Sequence, residues 1–134
     1  MKRVLTAVAL LSALTFSACK KTEVTQVVNN ATTVLSSIQA GTWDASSDKT
    51  EYTASFTVPE IDDDVLQNGA VLAYLSLDNN HQTYDQIPLT YGNYVFAVYH
   101  SAGTVTVDVT ALAGGTFDPP NFDIPVKIVV VRTN

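Results

Sequence analysis

The sequence predicts an all-β protein, a seven-stranded antiparallel Greek-key sandwich of two sheets. Three observations carry this. Apolar residues recur at every second position over several short runs, the period of a half-buried strand. Turn residues punctuate those runs at regular intervals. A long Gly- and Pro-rich stretch, Ala111 to Pro125, precedes a final apolar run, as a Greek-key crossover requires.

Each element has its own warrant. Thr33 to Ala40 is the first expected strand. Glu51 to Val58 alternates, with Tyr52, Ala54, Phe56 and Val58 on one face and Glu51, Thr53, Ser55 and Thr57 on the other. Asp62 to Gly69 reads as a single helical turn. Asp62 caps its start, further acids suit the positive end of the helix, and Gly69 permits a left-handed exit. Ala70 to Leu77 is more continuously apolar, as a central strand is. Tyr84 to Leu89 contains Pro88, which suits an edge. Tyr94 to His100 and Thr104 to Thr110 flank a hairpin turn at Ser101-Ala102-Gly103. In the first arm Tyr94, Phe96 and Val98 face inward. In the second, Val105, Val107 and Val109 do. Val126 to Arg132 is the last strand, and short strands with a long crossover make the sandwich immunoglobulin-like.

The chain has 134 residues, one domain's worth of material. Only 15% are charged and 46% are hydrophobic, so a packed body is expected rather than a disordered acidic tail. The net charge of −6 excludes nucleic acid as a partner, because binding there needs a basic face that displaces counterions from phosphate. A single cysteine excludes both a disulfide framework and a cysteine-based zinc site.

That cysteine has a distinctive setting. Lys2 and Arg3 follow Met1, Val4 to Phe16 is almost wholly apolar, and the run ends in Phe16-Ser17-Ala18-Cys19. A basic start, an apolar stretch too short to span a bilayer and small residues at the end are the layout of a secretory signal. Phe16-Ser17-Ala18-Cys19 resembles a bacterial lipobox, with Phe16 where leucine is commonest. The resemblance implies that the Cys19 thiol receives a diacylglycerol and that Cys19 becomes the first residue after cleavage. Two or three acyl chains would hold the protein on a membrane that it does not span. By the same resemblance Lys20, where an aspartate would mean inner-membrane retention, implies the outer membrane. The expected division is a signal peptide over residues 1–18, a lipidated N-terminus and linker over 19–32, and a β-sandwich over 33–134. Cleavage removes Lys2 and Arg3 and moves the net charge from −6 to −8.

Thr22 to Thr32 reads as a linker of about ten residues, reaching on the order of 15–20 Å. A rival reading places Val24, Val27, Val28, Ala31, Val34, Leu35 and Ile38 on one helical face ending at Gly41. The many β-branched residues and Asn favour linker followed by strand.

The order Trp43, Tyr52…Phe56…Pro59-Glu60-Ile61, Asn68-Gly69-Ala70-Val71-Leu72-Ala73-Tyr74, Ile87-Pro88-Leu89 and Val126-Lys127-Ile128-Val129-Val130-Val131 resembles a group of small lipoproteins of Bacteroidetes. The resemblance covers nearly all of the chain after Cys19. Its motifs are packing motifs, so it implies a fold and a location and no activity.

Catalytic patterns are sparse. His81 sits in a polar loop and His100 ends a strand, neither near a nucleophile-elbow pattern, and no phosphate or dinucleotide loop occurs. Asp62, Asp63 and Asp64, with Asp118 and Asp123, could offer oxygens to calcium; the plainer reading is a capped turn and solvated acidic loops. Trp43, Tyr84 and Tyr91 could stack on sugar rings, against a plainer reading as packing residues. The sequence therefore points to a non-catalytic interaction or structural module, lipid-anchored in the cell envelope and needing no cofactor. Its expected partners are the membrane and another envelope protein or glycan. The alternatives are a carbohydrate- or calcium-binding domain and, third, a small hydrolase.

Overall fold

In a computed structural model, which describes residues 30–78 and 80–133, the chain forms two antiparallel sheets. The strands in chain order are β1 (Ala31–Ile38), β2 (Asp44–Ala45), β3 (Glu51–Thr57), β4 (Ala70–Leu75), β5 (Asp85–Gln86), β6 (Leu89–Tyr91), β7 (Tyr94–Ser101), β8 (Thr104–Ala111) and β9 (Ile124–Val131). One helix, α1 (Asp63–Asn68), stands between β3 and β4. The first sheet has the order β1-β9-β4-β5 and the second β2-β3-β8-β7-β6. In the second, β6, β7 and β8 form a meander, and β3, reached through the other sheet, lies beside β8. That arrangement is a Greek key.

The strand period builds the core. Ile124, Val126, Ile128 and Val130 of β9 face Val105, Val107 and Val109 of β8 across the sandwich, all essentially without solvent contact. Phe96 of β7 is the largest fully buried side chain. Ile61 and Val65 close one end, where α1 caps the sandwich. Burying each such aliphatic side chain contributes roughly 1.5–3 kcal/mol of transfer free energy.

The structure corrects the expected elements in four ways. Nine strands, not seven, occur among the described residues, because very short ones line the sheet edges. Tyr84 to Leu89 is not one strand. Ile87 N–H donates to the Ala73 carbonyl at 3.0 Å, but the cis-linked Pro88 has no N–H to continue the ladder, and the chain crosses to the other sheet as β6. Gly69 does not adopt the left-handed conformation; its φ is −95° and ψ −161°. Its glycine has another cause, since a Cβ there would collide with the Val131 carbonyl oxygen. The first strand begins at Ala31 rather than Thr33, so the helical alternative fails over residues 31–38.

The crossover from β8 to β9 is fixed by aromatics. Phe117 meets Tyr52 edge-on at 5.0 Å between ring centroids and also touches Tyr94. The Tyr52 hydroxyl donates to the Phe117 carbonyl at 3.0 Å.

Candidate functional site

With one face of each sheet spent on the core, the described residues offer two outer faces and the loops as accessible surface. The outer face of the β1-β9-β4-β5 sheet is set by cross-strand register. Leu35, Lys127, Tyr74 and Gln86 form one row across the four strands. Thr33, Val129 and Leu72 form the next, and Ala31, Val131 and Ala70 a third. This face is therefore largely apolar, with Thr33 and Ser37 on its β1 edge and Lys127 and Gln86 as its other polar groups. The Lys127 ammonium lies 4.6 Å from the centre of the Tyr74 ring and 4.8 Å from that of Tyr84. Both rings offer their negative faces to the cation. Among the described residues no carboxylate pairs with it. Leu35, 69% exposed, extends the row to the sheet edge.

The opposite outer face is rich in hydroxyls. Thr53 and Ser55 on β3 stand beside Asp108 and Thr106 on β8, and Thr57 beside Thr104. The Ser55 and Thr106 hydroxyls share a hydrogen bond of 3.0 Å. Two acids interrupt the array. Burial first, then the hydrogen bond and charge of Glu51, push the Asp108 carboxyl up to about 6. Asp108 Oδ1 is buried and has no hydrogen-bond partner among the described residues. Loss of solvent, then the charges of Glu51 and Asp108, also raise the neighbouring Tyr99 hydroxyl above its usual range. Glu51 and Asp44 line a recess of about 240 Å³ at the edge of this face.

The loop end carries a larger recess of about 410 Å³, lined by Asn93, Leu112, Thr116 and Phe117 among others. Its lining is uncharged, and Leu112 is 59% exposed.

The residues singled out in the sequence do not converge. Cys19 and the whole stretch 1–29 lie outside the described residues. Trp43 is a correction to the sugar-stacking set. It is 8% exposed and belongs to the core, so neither ring face is open to a ligand. Tyr84 holds Lys127 on one sheet, whereas Tyr91 is exposed at the end of β6 on the other. Asp62 is already committed. Its Oδ1 accepts from Val65 N–H at 3.0 Å and its Oδ2 from Arg132 at 2.8 Å. The Val65 amide, then the guanidinium, hold its carboxyl below the usual carboxylate range. Asp64 accepts from the Asn68 amide, and Asp63 is exposed on the first turn. Asp123 accepts from Ala40 N–H at 2.8 Å, and Asp118 lines a separate recess of about 320 Å³ with Lys49, Thr116 and Phe117. Among the described residues no three acidic, His or Cys side chains are grouped to hold a metal ion. His81 and His100 are both exposed, one in the loop after β4 and one late in β7.

Two features were missed by sequence reasoning. The Tyr74–Lys127–Tyr84 cluster depends on register between strands more than fifty residues apart, for which no local signal exists. Asp78 is the second. Burial alone would raise its carboxyl, but bonds from Gln82, Ser76 and Thr83 outweigh this and hold it low. It thereby organises the loop that leads to Tyr84.

Fold and faces together define an antiparallel two-sheet sandwich with one apolar, cation-bearing outer face. Compared with family models, curated proteins and solved structures, the chain has no match.

Proposed function

We propose that this chain is a non-catalytic interaction module of the bacterial cell envelope, anchored at the outer membrane through lipid on Cys19. The observation that carries the interaction reading is the outer face of the β1-β9-β4-β5 sheet. Leu35, Leu72, Val129 and Tyr74 make it apolar, and Lys127 gives it one oriented charge. Tyrosine-rich apolar surface with a rim of polar groups is what protein recognition uses. The anchoring reading rests on Phe16-Ser17-Ala18-Cys19 and on the basic, apolar run before it. Lys20 and Lys21 then stand beside the anchor, where anionic headgroups favour them.

Two measurements test the two halves separately. Cells fed an alkyne analogue of palmitate should label the wild-type chain and leave Cys19→Ser unlabelled; equal labelling, or none on either, removes the anchor. A photo-crosslinking residue at Leu72 should capture a neighbour in intact cells, whereas one at Thr106 should not. The reverse pattern would move the interaction to the hydroxyl-rich face.

A further inference from the structure

Sheet edges invite pairing, because a terminal strand presents unpaired N–H and C=O groups to any other strand. Among the described residues, three of the four sheet edges are blunted. β2 and β5 have two residues each, and β6 has three and follows Pro88. The fourth is β1, eight residues long. Its sequence, Ala-Thr-Thr-Val-Leu-Ser-Ser-Ile, contains no charge and no proline. Shortness, charge and proline, three devices that natural edges use against pairing, are absent from this strand, and among the described residues no strand pairs with its free side.

The direction of its free groups can be worked out. Arg132 N–H donates to the Asn30 carbonyl at 2.8 Å, so residue 30 bonds toward β9. In an antiparallel ladder such residues alternate with ones that point away. Thr32, Val34, Ser36 and Ile38 therefore bond to β9, and Ala31, Thr33, Leu35 and Ser37 turn their N–H and C=O groups outward. Those same four residues carry their side chains on the apolar outer face of the sheet.

We propose that β1 pairs antiparallel with β1 of a second copy of this chain, joining two four-stranded sheets into one. A two-fold axis normal to the sheet keeps the faces aligned and pairs like with like. With the axis at Val34, Ala31 bonds Ser37 of the other copy and Thr33 bonds Leu35, which uses all four outward-facing residues. The most exposed leucine among the described residues then finds cover. Leu35 sits opposite Thr33 of the second copy and diagonal to its Leu35, within reach of a branched side chain. No like charges meet, because β1 has none, and Lys127 stays one strand back between its tyrosines. The pairing does not depend on Cys19 being acylated.

The test uses the full-length chain in density-matched detergent. Sedimentation should give twice the mass of one chain. Leu35→Pro removes an outward N–H and no bond to β9, and Leu35→Glu places its carboxylate opposite Lys127; each should halve that mass while leaving the melting temperature within a few degrees. Val34→Cys should form a disulfide between the two copies of position 34, since directly opposed residues of a non-hydrogen-bonded pair lie about 4.5 Å apart at Cα. The parent chain, with Cys19 alone, sets the baseline. A monomeric parent overturns the proposal, and a slowly exchanging Leu35 amide in that monomer would mean that the preceding part of the same chain covers the edge. A dimer that survives both Leu35 substitutions overturns it as well.

Discussion

The two outer faces of this sandwich share one strand period and differ in almost everything else. One is a hydroxyl array of Thr53, Ser55, Thr57, Thr104 and Thr106, interrupted by the carboxyl pair of Glu51 and Asp108. The other presents Leu35, Leu72, Val129 and Tyr74, with one cation held between two rings. Alternation alone does not make a strand's outer side polar. β9 is apolar on its inner side and, apart from Lys127, on its outer side as well, where Pro125, Lys127, Val129 and Val131 are half-buried beside β1 and β4. A face left apolar after the core is complete is surface available for contact.

The largest effect sets the scale. Phe96→Ala should destabilise the fold by about 3–5 kcal/mol in urea unfolding, because a large buried ring leaves a cavity. Its neighbour Val95 points to the outer face opposite Thr110, so Val95→Ala should cost well under about 1.5 kcal/mol. Comparable losses would mean that the hydroxyl face is also packed. On the apolar face, Lys127→Met should cost about 1 kcal/mol through loss of the two ring contacts. It should also increase self-association, seen in light scattering, because the face then has no charge.

The carboxyl pair separates the faces by pH. The Asp108 carboxyl stands at about 6 in the folded chain, against about 3.9 for an aspartate in an unfolded one. The folded state thus binds this proton more tightly. The stability it confers is fully present below about pH 4 and is lost as pH rises through about 6. Thermal melts of Asp108→Asn should lack that decline, and a decline that persists would place its origin elsewhere. The smallest effect belongs to Ser55→Ala. It removes one exposed hydrogen bond and should change stability by no more than about 0.5 kcal/mol.

Local chemistry was legible in the sequence where neighbours in the chain decide the outcome. The alternation of Tyr52, Ala54 and Phe56 and the capping by Asp62 both appear in the structure as the residues dictate. So does the Gly103 turn, at a φ of +72°. The failures came where distant residues decide. Trp43 follows a glycine turn in a polar stretch, and nothing adjacent records that the core receives its ring. Gly69 does end α1, but in an extended rather than left-handed conformation, and the carbonyl of Val131, on a strand far along the chain, is what excludes a side chain there. The Lys127 cluster needed the pairing of β9 with β4, and the split at Pro88 needed knowledge of which sheet each half joins.

Lipid on Cys19 is the central proposal for this chain, and the intact mass of the chain isolated from its own cells tests it most directly. The predicted result is a polypeptide starting at Cys19 that carries diacylglycerol on sulfur and a further acyl group on its amine. A chain that starts elsewhere, or that has a free thiol and no lipid, would contradict it.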